Sequence, residues 1–170
     1  NMVKKIVGTG VLLVLALALQ AGVKMYTLKS PDGKVKLEVT AGQGIAYSLF
    51  YDGRLLLKPS RIALHTDLPE ADHWENIRIT GTKQRHVSET VQAPFYRVKE
   101  FGIDCNELEL RLNNGFSLLM RAYNDGMAYR FVAGRKGEMT VVEERAEFNF
   151  ADDFEAYIPY STNPKDPWNM

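Results

Sequence analysis

From Val35 onward the chain repeatedly alternates apolar and polar residues with a period of two, and turn-forming pairs ending in glycine separate the runs. Val35, Leu37 and Val39 alternate with Lys34, Lys36, Glu38 and Thr40. Leu108, Leu110 and Leu112 alternate with Glu107, Glu109 and Arg111, and Phe116, Leu118 and Met120 with Ser117 and Arg121. A period of two puts successive side chains on opposite faces of an extended strand, so each run has one face that must be covered by a second layer. Asp32-Gly33, Asp52-Gly53, Asn114-Gly115 and Asp125-Gly126 lie between runs, and such pairs tolerate the positive φ of tight hairpin turns. Beyond the first residues no stretch keeps apolar side chains at helical spacing for three turns. The expected fold is all-β, an antiparallel β-sandwich. The segment from Thr66 to Asn76 has no periodicity, and a polar surface excursion is expected there.

The 170 residues suffice for one globular domain. Met2-Val3-Lys4-Lys5 followed by the uncharged run from Ile6 to Ala21 has the basic and apolar regions of a secretory signal, with Ala16-Leu17-Ala18 as a small-x-small cleavage pattern. Asn1 before an initiator-like Met2 reads as a cloning remnant. The expected organisation is a signal-like apolar segment over 1–21, which in an uncleaved chain forms an N-terminal helix or signal segment. A sandwich domain over 22–160 and a Pro-containing connection over 161–170 follow. The expected location is outside the cytoplasm, periplasmic or outer-membrane associated. Acidic and basic side chains number 21 each, with no basic stripe, so a nucleic-acid partner is not expected.

Motifs of catalysis are absent. Gly8-Thr9-Gly10 lacks the third glycine and the βαβ setting of a dinucleotide loop. His65, His73 and His86 match no metal spacing, no Gly-x-Ser-x-Gly elbow occurs, and the single Cys105 has no evident activating neighbour. Carboxylates cluster at Glu143, Glu144 and Glu147 and again at Asp152, Asp153 and Glu155. Glycosidic cleavage needs a pair of carboxylates facing one substrate, whereas Glu143 and Glu144 point to opposite faces of a strand. No catalytic residue is assigned. Trp74, Tyr160 and Trp168 are candidate sugar-stacking aromatics, with packing in the core or an interface as the alternative.

The segment Met120-Arg121-Ala122-Tyr123-Asn124-Asp125-Gly126-Met127-Ala128-Tyr129-Arg130-Phe131 resembles a block of the N-terminal domain of glycoside hydrolase family 97. Further blocks follow in the family's order: Leu28 to Lys34, Tyr51-Asp52-Gly53-Arg54, Lys58-Pro59-Ser60, Asn106-Glu107-Leu108, Glu143-Glu144 and Tyr157-Ile158-Pro159. The resemblance spans the chain after Met25. It implies an exported, calcium-dependent α-glucosidase or α-galactosidase whose N-terminal domain is a galactose-mutarotase-like supersandwich, here incomplete, and whose catalytic carboxylates sit in a following (β/α)8 barrel.

On that resemblance, this chain is a non-catalytic part that helps shape the cleft for an α-linked oligosaccharide, inactive alone and carrying no calcium by itself. Where the family places a calcium-ligating Glu, the chain reads Asn163-Pro164-Lys165-Asp166-Pro167-Trp168, leaving Asp166 as a weak metal candidate. Arg121, Asn124, Asp125, Gly126 and Arg130 read as a structural motif, a turn with the two arginines paired across its hairpin. The alternative functions are a stand-alone carbohydrate-binding module and an envelope interaction protein that self-associates through open strand edges.

Overall fold

Nine strands, among them the three alternating runs, form in a computed structural model that describes residues 24–95, 97–134, 136–155 and 157. The strands are β1 Met25–Lys29, β2 Val35–Gly42, β3 Gly44–Tyr51, β4 Arg54–Thr66, β5 Ile79–Gln92, β6 Glu100–Leu112, β7 Phe116–Tyr123, β8 Gly126–Ala133 and β9 Val141–Ala146. They make two antiparallel sheets, one ordered β1-β2-β3-β4-β9 and the other β5-β6-β7-β8. The expected segment 1–21 lies outside the described residues, as does the connection over 161–170.

The strands identified by period supply the core. Val35, Leu37 and Val39 of β2 face Leu108, Leu110 and Leu112 of β6 and Phe116, Leu118 and Met120 of β7, all buried. Full burial of such a side chain is worth about 1.5–3 kcal/mol, so these rows hold the sheets together. Tyr47 and Ile45 of β3 and Ile62 of β4 extend the same core.

The four glycine pairs sit in hairpin turns, but not all in the same way. Gly33, Gly53 and Gly115 take φ of 76°, 79° and 84°, and Asp52 takes 48°. At the fourth turn Tyr123 pairs with Gly126, so Asn124 and Asp125 are the loop, and none of the three has positive φ. Gly126 is thus the first residue of β8 and not a left-handed turn residue.

Pro59 would break a central ladder, and β4 accommodates it with an irregularity. Tyr47 pairs with Ser60 and Leu49 with Leu57, so Lys58 and Pro59 oppose a single residue. Asn149 clasps this bulge: its backbone N–H donates to Ser60 Oγ (2.9 Å), its Nδ2 to the Pro59 carbonyl (2.9 Å), and its carbonyl accepts from Lys58 N–H (2.8 Å).

The segment from Thr66 to Asn76 is irregular and exposes Asp67, Glu70, His73, Glu75 and Asn76 as expected, but it is also anchored in the core. Ala71 and Trp74 are buried, and Trp74 inserts its indole between the sheets, 6.1 Å from the Phe116 ring and 5.3 Å edge-on from Phe131. Burying one large aromatic plugs the end of the sandwich without any strand periodicity, which is why pattern alone misplaces it.

Candidate functional site

At the end of the sandwich where β2 turns into β3, a cleft of about 1090 Å³ opens. Its floor is the β2–β3 turn and the residues beside it, Thr40, Ala41, Gly42, Gln43, Gly44 and Ala46, mostly small side chains with Gln43 as the one long polar group. Gly44 has φ +94°, and a β-carbon there would lie 3.9 Å from the Trp74 carbonyl, so the floor is held low by backbone conformation. One wall comes from β4 and the residues after β9: Pro59, Arg61, Glu147 and Asn149. The other is the segment His73 to Arg78 with Asn113.

The second wall is latched by backbone and amide bonds. Ile77 N–H donates to the Gly42 carbonyl (3.0 Å), Arg78 N–H to Asn113 Oδ1 (2.8 Å), and Asn113 Nδ2 to the Asn76 carbonyl (3.3 Å). In the first wall the Glu147 carboxylate accepts from Arg61 N–H (3.1 Å) and pairs with Arg145 (2.9 Å). The Arg61 N–H, aided by Arg145 and Asn149, holds Glu147 below the usual carboxylate range. The side chains of Arg61, His73 and Arg78 make no hydrogen bond or ion pair to another described residue. The cleft therefore presents guanidinium and imidazole groups beside a floor of mostly small side chains. Those groups suit binding of hydroxyl-rich or anionic molecules. Its lone carboxylate, already satisfied, gives no acid and base pair for hydrolysis.

A second constellation lies on the outer face of the four-stranded sheet. Register sets Arg85 directly opposite Glu107, and Glu107 directly opposite Arg121. Both guanidinium Nε–H groups donate to the carboxylate at 2.7 Å. The Glu107 side chain is only 4% exposed, against 54% for Arg85 and 24% for Arg121. Burial pushes the Glu107 carboxyl up, but the bonds from Arg85 and Arg121 outweigh it, and the group ends below its ordinary value. A small hollow of about 170 Å³ beside Arg121 is lined by Leu119, Tyr123, Ala128, Tyr129 and Arg130.

Arg121 and Arg130 are not paired across the β7–β8 hairpin as expected, because Arg121 opposes Ala128 and Arg130 opposes Leu119. Like charges gain nothing face to face, and Arg121 spends its charge on Glu107 instead. Asn124 reaches the other sheet, its Oδ1 accepting from Asp32 N–H at 3.1 Å, while Asp125 is exposed beside it in the turn.

Trp74, a sugar-stacking candidate whose other reading was packing in the core, is buried, with its Nε1–H donating to the Leu64 carbonyl at 3.1 Å. It is a core residue. Tyr160, Trp168 and Asp166 lie outside the described residues. The three histidines do not converge: His65 pairs with Asp72 (2.7 Å), His86 with Asp104 (3.1 Å), and His73 lines the cleft. Glu143 and Glu144 follow one another on β9, opposite His65 and Leu64. Among the described residues no group of three His, Cys, Asp or Glu side chains is placed to hold a metal ion. Cys105 is fully buried, and burial pushes its thiol up, away from nucleophilic thiolate.

Sequence reasoning missed Arg61, Arg78, Asn113 and Asn149 in the cleft and Arg85 and Glu107 on the sheet. Only the polar outer phase of the β6 alternation hinted at Glu107. The rest depend on long-range register.

Two antiparallel sheets packed on a shared core, with a cleft at one end, define an all-β sandwich domain. The family model for the glycosyl-hydrolase 97 N-terminal domain matches residues 28–168, and the chain belongs to that family. A retaining α-galactosidase of Bacteroides thetaiotaomicron is 40% identical over 151 residues, which are 88% of this chain and 22% of the relative. A probable retaining α-galactosidase of Streptomyces bingchenggensis is 26% identical over 75% of the chain and 20% of its own length. Among solved structures, a β-arabinopyranosidase superposes with TM-score 0.65 and 25% identity, covering 74% of this chain and 21% of that one. A family 97 glycoside hydrolase of Pseudoalteromonas sp. strain K8, solved with panose, gives TM-score 0.62 at 19% identity over 75% of this chain and 20% of that one, a likeness of fold. The chain spans about a fifth of the length of the curated relatives it matches.

Proposed function

We propose that this chain is the N-terminal, non-catalytic domain of an exported retaining α-galactosidase, and that its cleft forms part of the wall against which an α-linked oligosaccharide lies. The observation that carries this reading is the 40% identity over 88% of the chain to a retaining α-galactosidase. The β-arabinopyranosidase neighbour adds support at 25% identity, because an α-D-galactoside and a β-L-arabinopyranoside share ring stereochemistry and differ by a hydroxymethyl group. Arg61, His73 and Arg78 offer donors to sugar hydroxyls from the two walls, and Tyr160 and Trp168 are proposed to stack on the sugar rings. Acid, base and nucleophile chemistry, with any calcium, belongs to the remaining chain of the parent enzyme. The leader pattern from Met2 to Ala21 supports export to the periplasm or outer membrane.

The test is the product of the reading frame carried past Met170, assayed with nitrophenyl α-galactoside and α-glucoside. The expected result is a preference for the galactoside of about a hundredfold or more in kcat/KM, since a site built around one hydroxyl configuration rejects its epimer strongly. Equal rates, or a preference for the glucoside, contradict the galactosidase reading.

A further inference from the structure

Among the described residues the β5 strand is an open edge fourteen residues long, and two independent features of it centre on His86. The first is mechanical. His86 pairs with Asn106, and Asn106 is the first β6 residue that also pairs with β7, through Ala122. On one side of His86, β5 is backed by β6, β7 and β8. On the other, Val87 to Gln92 and Glu100 to Cys105 form a two-stranded arm with no third strand among the described residues. A two-stranded ribbon is marginal in water, and this one exposes Val91, Phe101 and, at its tip, Phe95, which is 98% exposed.

The second feature is the charge pattern. When β5 pairs antiparallel with a second copy of itself about a two-fold axis at His86, residue numbers across the junction sum to twice 86. Lys83 then opposes the partner copy's residue 89, a glutamate, and Glu89 opposes the partner copy's residue 83, a lysine. Thr82 meets a threonine at position 90 and Gln84 a serine at position 88. Opposite charges and hydroxyl pairs directly across antiparallel strands are stabilising. Lys83 and Glu89 are exposed, and neither makes an ion pair to another described residue. The Arg85–Glu107 bond is left intact in this register.

We infer that the chain forms a homodimer in which β5 pairs antiparallel with β5 of a second copy about His86, joining the two four-stranded sheets into one. Each copy's arm then lies along the backed half of its partner's β5, which supplies the third strand that the described residues do not give it. An unpaired edge is otherwise a template for uncontrolled association, and a two-fold junction closes it. This inference stands apart from the proposed glycosidase function, since it uses neither the cleft nor the relatives.

Sedimentation equilibrium of the chain across a dilution series is the test, with circular dichroism as a folding control. The expected result is a reversible monomer–dimer equilibrium. Lys83→Glu and Glu89→Lys each weaken it by about tenfold or more, because each single variant sets two like-charge pairs across the junction. The double variant carrying both changes restores the wild-type constant. A monomer at every concentration overturns the dimer and leaves the edge to another partner. Dimerisation that the single variants do not weaken, or that the double variant does not recover, overturns the register about His86.

Discussion

Replacing Trp74 with alanine lowers stability by about 3–5 kcal/mol, the cost of emptying a large aromatic site in a packed core. Trp74 is 6% exposed, stacks on Phe116, meets Phe131 edge-on and satisfies its indole N–H on the Leu64 carbonyl. Removing it leaves a cavity at the end of the sandwich and exposes the segment that walls the cleft. A domain of this size holds only about 5–15 kcal/mol in total, so the loss takes from about a fifth of that margin to all of it. The urea midpoint should fall steeply, while Trp74→Phe, which keeps most of the volume, should fall less. A sugar platform on the surface would behave differently: its alanine variant would keep the wild-type midpoint and lose only ligand binding. An unchanged midpoint for Trp74→Ala would therefore remove this residue from the core.

Glu107→Gln is expected to cost about 2–4 kcal/mol, near the range for breaking a buried ion pair by deleting one partner. The amide cannot accept from both guanidinium groups as the carboxylate does, and its own N–H atoms meet donors. Arg121, 24% exposed, takes the larger share of that loss, because Arg85 at 54% is open to solvent and recovers hydration. The same network sets a pH dependence. Glu107 lies below its ordinary value of 4.5 in the folded protein. Its contribution is present above the unfolded value and is lost as pH falls through the folded one. Wild-type stability should fall below about pH 4.5, and the Gln variant should lose less over that interval. Parallel acid profiles for the two proteins would show that Glu107 does not carry this dependence.

Where the physics is local, the fold was legible. The alternating runs of β2, β6 and β7 each follow a strict period of two, and their apolar phases form the core. Three of the four glycine pairs take the positive φ their chemistry favours. The β5 strand was not legible, because it is exposed on both faces along most of its length and carries no apolar phase. Neither was β9, whose Val141 and Val142 are both exposed. Trp74 sits in a segment without period, so only the closed sandwich shows that it fills the gap above Phe116.

The candidate site was less legible still. Arg85, Glu107 and Arg121 become a row only when two registers are fixed, and those registers join residues 22 and 14 apart. The cleft draws on the β2–β3 turn, β4, the segment after Trp74 and the residues after β9, which no motif links along the chain. The family resemblance was carried instead by short ordered blocks with local structural roles, such as the Pro59 bulge and the Asn124 turn.

As proposed above, this chain is part of a glycoside hydrolase and performs no hydrolysis by itself. The decisive measurement is the turnover of nitrophenyl α-galactoside by the purified chain ending at Met170, beside the longer product of its reading frame. Nitrophenol release by the longer protein, with none above a blank from this chain, is the expected result. Hydrolysis by this chain alone, abolished by substitution within the cleft, would overturn the proposed non-catalytic role.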